Sequence, residues 1–177
     1  PEGGDFSVLL SRIKAKEEGE KWIGIAPFAA HKGKMYPWEK MQHVVEKLIA
    51  DDAHVRIFLF GGGEDELQKL VSTYDLTNNV EFLGYRDNIS DLINSFDFLV
   101  FPSRFEGFGL ALAETFLREK TAVVTNILGF SDLINENNSV VVESENIDKI
   151  KEGIELLIRD EEKRITLGQK ARVSTLD

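Results

Sequence analysis

The sequence predicts a doubly wound α/β domain, a mostly parallel, Rossmann-like sheet with helices on both faces and three layers in all. Short apolar runs alternate with stretches of helical periodicity about five or six times along the chain. The runs are apolar throughout rather than alternating with polar residues, as strands buried on both faces must be. Parallel neighbours of that kind are joined by right-handed helical crossovers, which lay the helices over the sheet.

WIGIAPF (22–28) reads as the first strand. Pro37 opens the helix that follows, because its fixed φ suits a first turn. Trp38, Met41, Val44, Val45, Leu48 and Ile49 then recur at helical spacing. VRIFLF (55–60) is the second strand, stopped by Gly61, Gly62 and Gly63. A helix over about 64–74 leads to the third strand, VEFL (80–83). Asp87 or Asn88 can cap a short helix carrying Ile89, Leu92, Ile93 and Phe96. DFLVFP (97–102) is the fourth strand; EGFG breaks it, and a helix runs from about Leu110 to Arg118. TAVVTN (121–126) and SVVVES (139–144) are two more strands, with SDLI (131–134) as a short helical piece between them. The remainder is helical: Ile147, Ile150, Ile154, Leu157 and Ile158 form one core-facing stripe. Residues 1–20 read as an N-terminal linker or crossover segment and 21–177 as the domain proper.

Composition excludes several chemistries. There is no cysteine, so disulfides, thiol nucleophiles, iron–sulfur clusters and Cys-based zinc sites are out. Three histidines, at 31, 43 and 54, make a metal site unexpected. The net charge of −10 with no basic tract argues against nucleic-acid binding, which needs clustered Lys and Arg. No apolar run is long enough to span a membrane. From Lys21 to Met41, however, the net charge is +3, which leaves −13 elsewhere. A small basic island in an acidic chain suits a small anion.

Ligands of such sheets sit beyond the carboxyl ends of the strands. The loop after the fourth strand, PSRFEGFGLALAETF, places Gly107 and Gly109 just before a helix, whose first amides and positive dipole end can receive a phosphate. Glu106 and Glu114 stand eight apart, which puts Glu114 about two turns into that helix, where a carboxylate can accept two hydrogen bonds from a diol. The same residues also read as a tight turn followed by a surface carboxylate. Lys32 and Lys34 follow the first strand and can meet a phosphate, or lie solvated. His31 can donate to a phosphate or lie solvated, and Arg104 can pair with a diphosphate or lie on the rim; Asn126, Gly129 and Phe130 either line a sugar pocket or form a plain turn. Gly61–Gly63 approach a ligand or only end a strand. The acids of 143–164 read as a solvated helical face.

EGFGLALAE resembles the E-x7-E motif of the retaining GT-B glycosyltransferases of group 1, and FLGYRDNISDLINSFDFLVFPSRFEGFG is similar to that family along its length. The resemblance runs from about Val55 to Arg172. It implies half of a GT-B fold, the nucleotide-sugar-binding domain of an enzyme whose acceptor-binding N-terminal domain is absent from this sequence. Glu114 would then bind the ribose hydroxyls and Glu106 the donor sugar. The amides of Phe108, Gly109 and Leu110, with Gly107, would face the diphosphate, and Tyr85 and Arg86 would lie beside the base. IGIAPFAAHKGKMYPWEKM resembles the matching segment of the heptosyltransferases, another GT-B group, and makes Lys34 the phosphate lysine; Lys32–Gly33 matches a Lys-Gly pair of the first family. Glu106 and Lys34 are thus the candidate catalytic groups. LREKTAVV lacks the Gly-x-Pro that the family places before the next strand, which leaves that turn's shape in question. The implied donor is a UDP-sugar, with ADP-sugar as the second choice, and no metal or other cofactor is needed. The expected setting is cytoplasmic, or peripheral to the inner membrane for a full-length enzyme. The isolated chain is expected to bind a donor without turning it over. The alternatives are a recombined or designed α/β scaffold and half of a nucleotide-sugar epimerase.

Overall fold

The computed structural model describes residues 15–26, 36–60, 78–84 and 89–176. Among them, six strands form one sheet: β1 (Lys21–Ile25), β2 (Val55–Phe60), β3 (Val80–Gly84), β4 (Phe98–Phe101), β5 (Ala122–Thr125) and β6 (Val140–Val142). Their order is β3-β2-β1-β4-β5-β6, and every neighbouring pair is parallel. This is the doubly wound order, with its switch point between β1 and β4. The first strand is shorter than expected, ending at Ile25, and 27–35 lie outside the described residues. So does the helix expected over about 64–74.

The uniformly apolar strands follow from burial on both faces. Ile23, Ile25, Val55, Ile57, Leu59, Phe98, Val100 and Val123 face one core. Trp22, Phe58, Phe60, Leu99, Phe101, Ala122 and Val124 alternate with them into the other. The first core is covered by α1 (Trp38–Asp51), through Met41, Val44, Val45 and Leu48, and by α4 (Ile147–Arg159), through Ile150, Ile154 and Leu157. The second is covered by α2 (Ile89–Ile93) and α3 (Leu110–Leu117), with Ala171 of α5 (Glu161–Leu176) beside them. Each of these buried aliphatic side chains contributes about 1.5–3 kcal/mol by leaving water. Pro37 is the N-cap of α1 rather than part of its first turn.

Two turns differ from expectation. The helical piece of the β5–β6 connection is a single 3-10 turn at Leu128–Phe130, before SDLI, and 131–133 are turn. At the end of α3, Lys120 N–H donates to the Thr115 carbonyl at 3.2 Å and Glu119 N–H to the Phe116 carbonyl at 2.9 Å. These are the two bonds of a Schellman closure, whose C′ residue must be left-handed and is usually glycine. Here it is Glu119, at φ 57. The turn is therefore formed without the glycine the resemblance led one to expect. Gly168 of α5 packs against it: a Cβ there would stand 2.1 Å from the Glu119 carbonyl oxygen.

Candidate functional site

The connection from β4 to α3 leaves the carboxyl edge of the sheet beside the switch point. It is fixed from below. Pro102 and Ser103 are buried, and the Thr125 hydroxyl at the end of β5 donates to the Ser103 carbonyl at 2.6 Å. It is fixed from the side as well. A Cβ on Gly129 would lie 1.9 Å from the Glu106 carbonyl oxygen, so only glycine lets the loop after β5 close onto the loop after β4. Gly109 adopts φ 75 and caps α3, and a side chain there would strike the Phe130 ring at 2.6 Å. Phe130 is 1% exposed and meets Phe101 edge-on at 6.4 Å, so it is core beneath the loop and lines no sugar pocket. A Cβ on Gly107 would meet nothing among the described residues within 4 Å, so open space rather than close approach lies beside it.

The Gly109 carbonyl accepts from Leu112 N–H at 2.9 Å and Ala113 N–H at 3.0 Å, which starts the helix. The amides preceding those have no intrahelical acceptor by helix geometry. No acidic residue stands in the first turn of α3, and Phe108 and Leu110 are exposed. This end is therefore open to an anion. Since α3 begins only at Leu110, Glu114 lies just over one turn in, not two. It is half-buried, and its Oε2 accepts from the Ser90 hydroxyl of α2 at 2.8 Å. Glu106 is half-buried and Asn126 exposed.

A second group of charges, which sequence reasoning assembled only in part, gathers at the same edge. Glu145, at φ 64 between β6 and α4, accepts from Lys40 Nζ of α1 at 3.0 Å and pairs with Arg104 Nε at 2.6 Å. The Lys40 hydrogen bond first, and Arg104 next, hold its carboxyl below the usual range. Arg104 is thus engaged by a carboxylate from a distant loop. Tyr36, 1% exposed, has a buried hydroxyl with no hydrogen-bond partner among the described residues. Burial, and then the Glu145 charge, push its phenol up to about 12 against an opposing effect of Arg104. Nothing local in the sequence links Glu145 with Arg104 or Ser90 with Glu114, since each pair is brought together across the fold.

Lys32, Lys34, His31, Tyr85, Arg86 and Gly61–Gly63 lie outside the described residues. Among the described residues no cluster of His, Asp and Glu is arranged to hold a metal ion, and no helix is long and apolar enough to cross a membrane.

An open parallel sheet in this strand order, with a glycine-capped helix leaving its carboxyl edge, is a doubly wound α/β fold, whose ligands sit at the switch point. Residues 11–174 match the family described as Glycosyl transferases group 1, and the chain belongs to that family. The match includes the heptosyltransferase-like front segment. The chain is 27% identical over 154 residues to a poly(ribitol-phosphate) alpha-N-acetylglucosaminyltransferase of Staphylococcus aureus (strain COL), covering 83% of this chain and 31% of that protein. It is 32% identical over 116 residues to an uncharacterized glycosyltransferase of Methanocaldococcus jannaschii, covering 62% and 33%. The chain thus spans about a third of the length of these relatives.

Among solved structures, a mutant of S. aureus TarM in complex with fondaparinux, alpha-GlcNAc-glycerol and UDP superposes with a TM-score of 0.78 at 25% identity, over 92% of this chain and 34% of that one. Anabaena HepE in complex with UDP-glucose gives 0.72 at 25% identity, over 88% and 44%. The C-terminal domain of a glycosyl transferase group 1 family protein from Francisella tularensis shares the fold, with a TM-score of 0.73 at 19% identity, over 88% of this chain and 84% of that domain. The fold is the sugar-transferase half-sheet that the E-x7-E motif implied, and nothing favours a scaffold or an epimerase.

Proposed function

We propose that this chain is the donor-binding domain of a retaining glycosyltransferase and holds a nucleotide diphosphate sugar across the β1/β4 switch point. The observation that carries the reading is the placement of Glu114. It stands just over one turn inside a helix with a glycine N-cap and no acidic residue in its first turn. A diphosphate received by the amides of Phe108, Gly109 and Leu110 would bring its ribose to that carboxylate. Glu106, on the loop that Gly129 clamps, would contact hydroxyls of the donor sugar. Lys32 or Lys34 would meet the diphosphate as its negative charge develops on departure, and Tyr85 and Arg86 would flank the base. Catalysis would then be mostly positioning and charge neutralisation. The UDP and UDP-glucose bound by relatives of this fold support uridine as the base; adenine is the second choice, on the resemblance of the front segment to heptosyltransferases. The acceptor would be bound by a separate N-terminal domain, with residues 1–20 leading into 21–177.

Replacing Glu114 tests the reading. A hydrogen bond to an ionised carboxylate contributes roughly 1.5–3 kcal/mol, so Glu114→Ala should weaken UDP binding about 10- to 100-fold. The variant should also scarcely distinguish UDP from its 2′,3′-dideoxy analogue in calorimetry. A variant that binds UDP like the parent, or still rejects the dideoxy form, refutes the assignment.

A further inference from the structure

Ser90 and Glu114 are 24 positions apart and meet because α2 packs beside α3. Both helices are anchored in the same core, α2 by Leu92 and Ile93, α3 by Leu112 and Phe116. The two side chains therefore stand on fixed supports. A serine hydroxyl carries one proton and two lone pairs, whereas an ionised carboxylate only accepts. In the 2.8 Å contact the proton must therefore run from Ser90 Oγ to Glu114 Oε2. That commits the Ser90 proton and leaves its oxygen as an oriented acceptor beside a carboxylate that still has free lone pairs.

We propose that Ser90 is a second ribose-binding residue: one hydroxyl of the cis-diol donates to the Glu114 carboxylate and the other to Ser90 Oγ. Two acceptors 2.8 Å apart match the close spacing of oxygens on adjacent ring carbons. Two hydroxyls that each need an acceptor are thereby satisfied together, while a lone carboxylate would have to serve both. This inference rests on Glu114 being the ribose carboxylate.

The test measures dissociation constants of the parent chain, Ser90→Ala and Glu114→Ala for UDP, 2′-deoxy-UDP, 3′-deoxy-UDP and the 2′,3′-dideoxy form. Alanine keeps α2 helical, and a neutral hydrogen bond is lost. Ser90→Ala should therefore weaken UDP about 2- to 12-fold and leave the dideoxy form unchanged. It should also erase discrimination against one of the two monodeoxy forms while keeping it against the other. Unchanged UDP binding, or the same weakening for all four ligands, overturns the role, the second result marking Ser90 as merely structural. A parent that binds none of them, or a Glu114→Ala variant that discriminates fully, overturns the ribose reading of Glu114 and this inference with it. Failure of Ser90→Ala alone leaves the Glu114 reading standing.

Discussion

Glycine at position 119 should give a more stable domain than alanine, a reversal of the order that holds inside a helix. Glu119 closes α3 at φ 57, and a residue with a Cβ in that region costs roughly 1–2 kcal/mol. Glycine removes that strain but frees the unfolded chain by about 0.4–1 kcal/mol. Both substitutions also lose the pair between Glu119 and Arg172, 3.3 Å apart and half-exposed on both sides, which contributes only about 0.2–1 kcal/mol. The pair cancels from the comparison. Glu119→Gly should therefore exceed Glu119→Ala by about 1 kcal/mol, a Tm gap of roughly 2–4 °C for a domain of this size. Urea unfolding followed by far-UV circular dichroism, with both variants at matched m-values, measures the gap. An alanine variant as stable as the glycine variant would show that position 119 is not held left-handed, and the Schellman closure of α3 would be wrong.

Gly129→Ala should destabilise the domain by about 1–3 kcal/mol in the same unfolding assay, because its Cβ would stand 1.9 Å from a backbone oxygen; an unchanged midpoint would contradict the clamp between the loops after β4 and β5. The raised Tyr36 phenol predicts that stability is unaffected by this group below its ordinary value of 10.0 and falls as pH rises towards about 12, where the unfolded chain loses a proton that the folded chain keeps. Tyr36→Phe should flatten that alkaline loss and be neutral or stabilising near pH 7, since it removes an unpartnered buried hydroxyl; equal alkaline slopes in parent and variant would refute the burial of the phenol. Lys32→Ala combined with Lys34→Ala should weaken UDP binding far more than uridine binding and reduce its salt dependence, and equal losses for the two ligands would remove both lysines from the phosphate.

The sheet was legible because strands buried on both faces have no polar alternation to obscure them. Ile57 and Leu59 face one core and Phe58 and Phe60 the other, so VRIFLF is apolar at every position that either core requires. The Gly-rich break after Phe101 was legible for a similar reason, since a left-handed cap at Gly109 tolerates little else. What escaped was set by contacts between distant segments. Glu119 takes a glycine's conformation with no local signal, because the Schellman bonds and the close approach of Gly168 impose it. Phe130 read either as a pocket residue or as part of a plain turn, and no local signal showed that the missing side chain of Gly109 makes room for it underneath. Glu145 lay in what read as a solvated acidic run, although it gathers Lys40 of α1 and Arg104 of the loop after β4. Ser90 carried no motif at all, and only the packing of α2 on α3 brings it to Glu114.

The most direct test of donor binding is an amide titration of the labelled chain with UDP, ADP and GDP at millimolar concentration. A nucleotide diphosphate held by the start of α3 should shift the amide resonances of 104–114, with UDP saturating at the lowest concentration and ADP next. Residues of the C-terminal turns of α4, at the far end of that helix from Glu145, should stay in place. If none of the three nucleotides moves any resonance between 104 and 114, the chain does not hold a donor at this edge of the sheet, and the central claim fails.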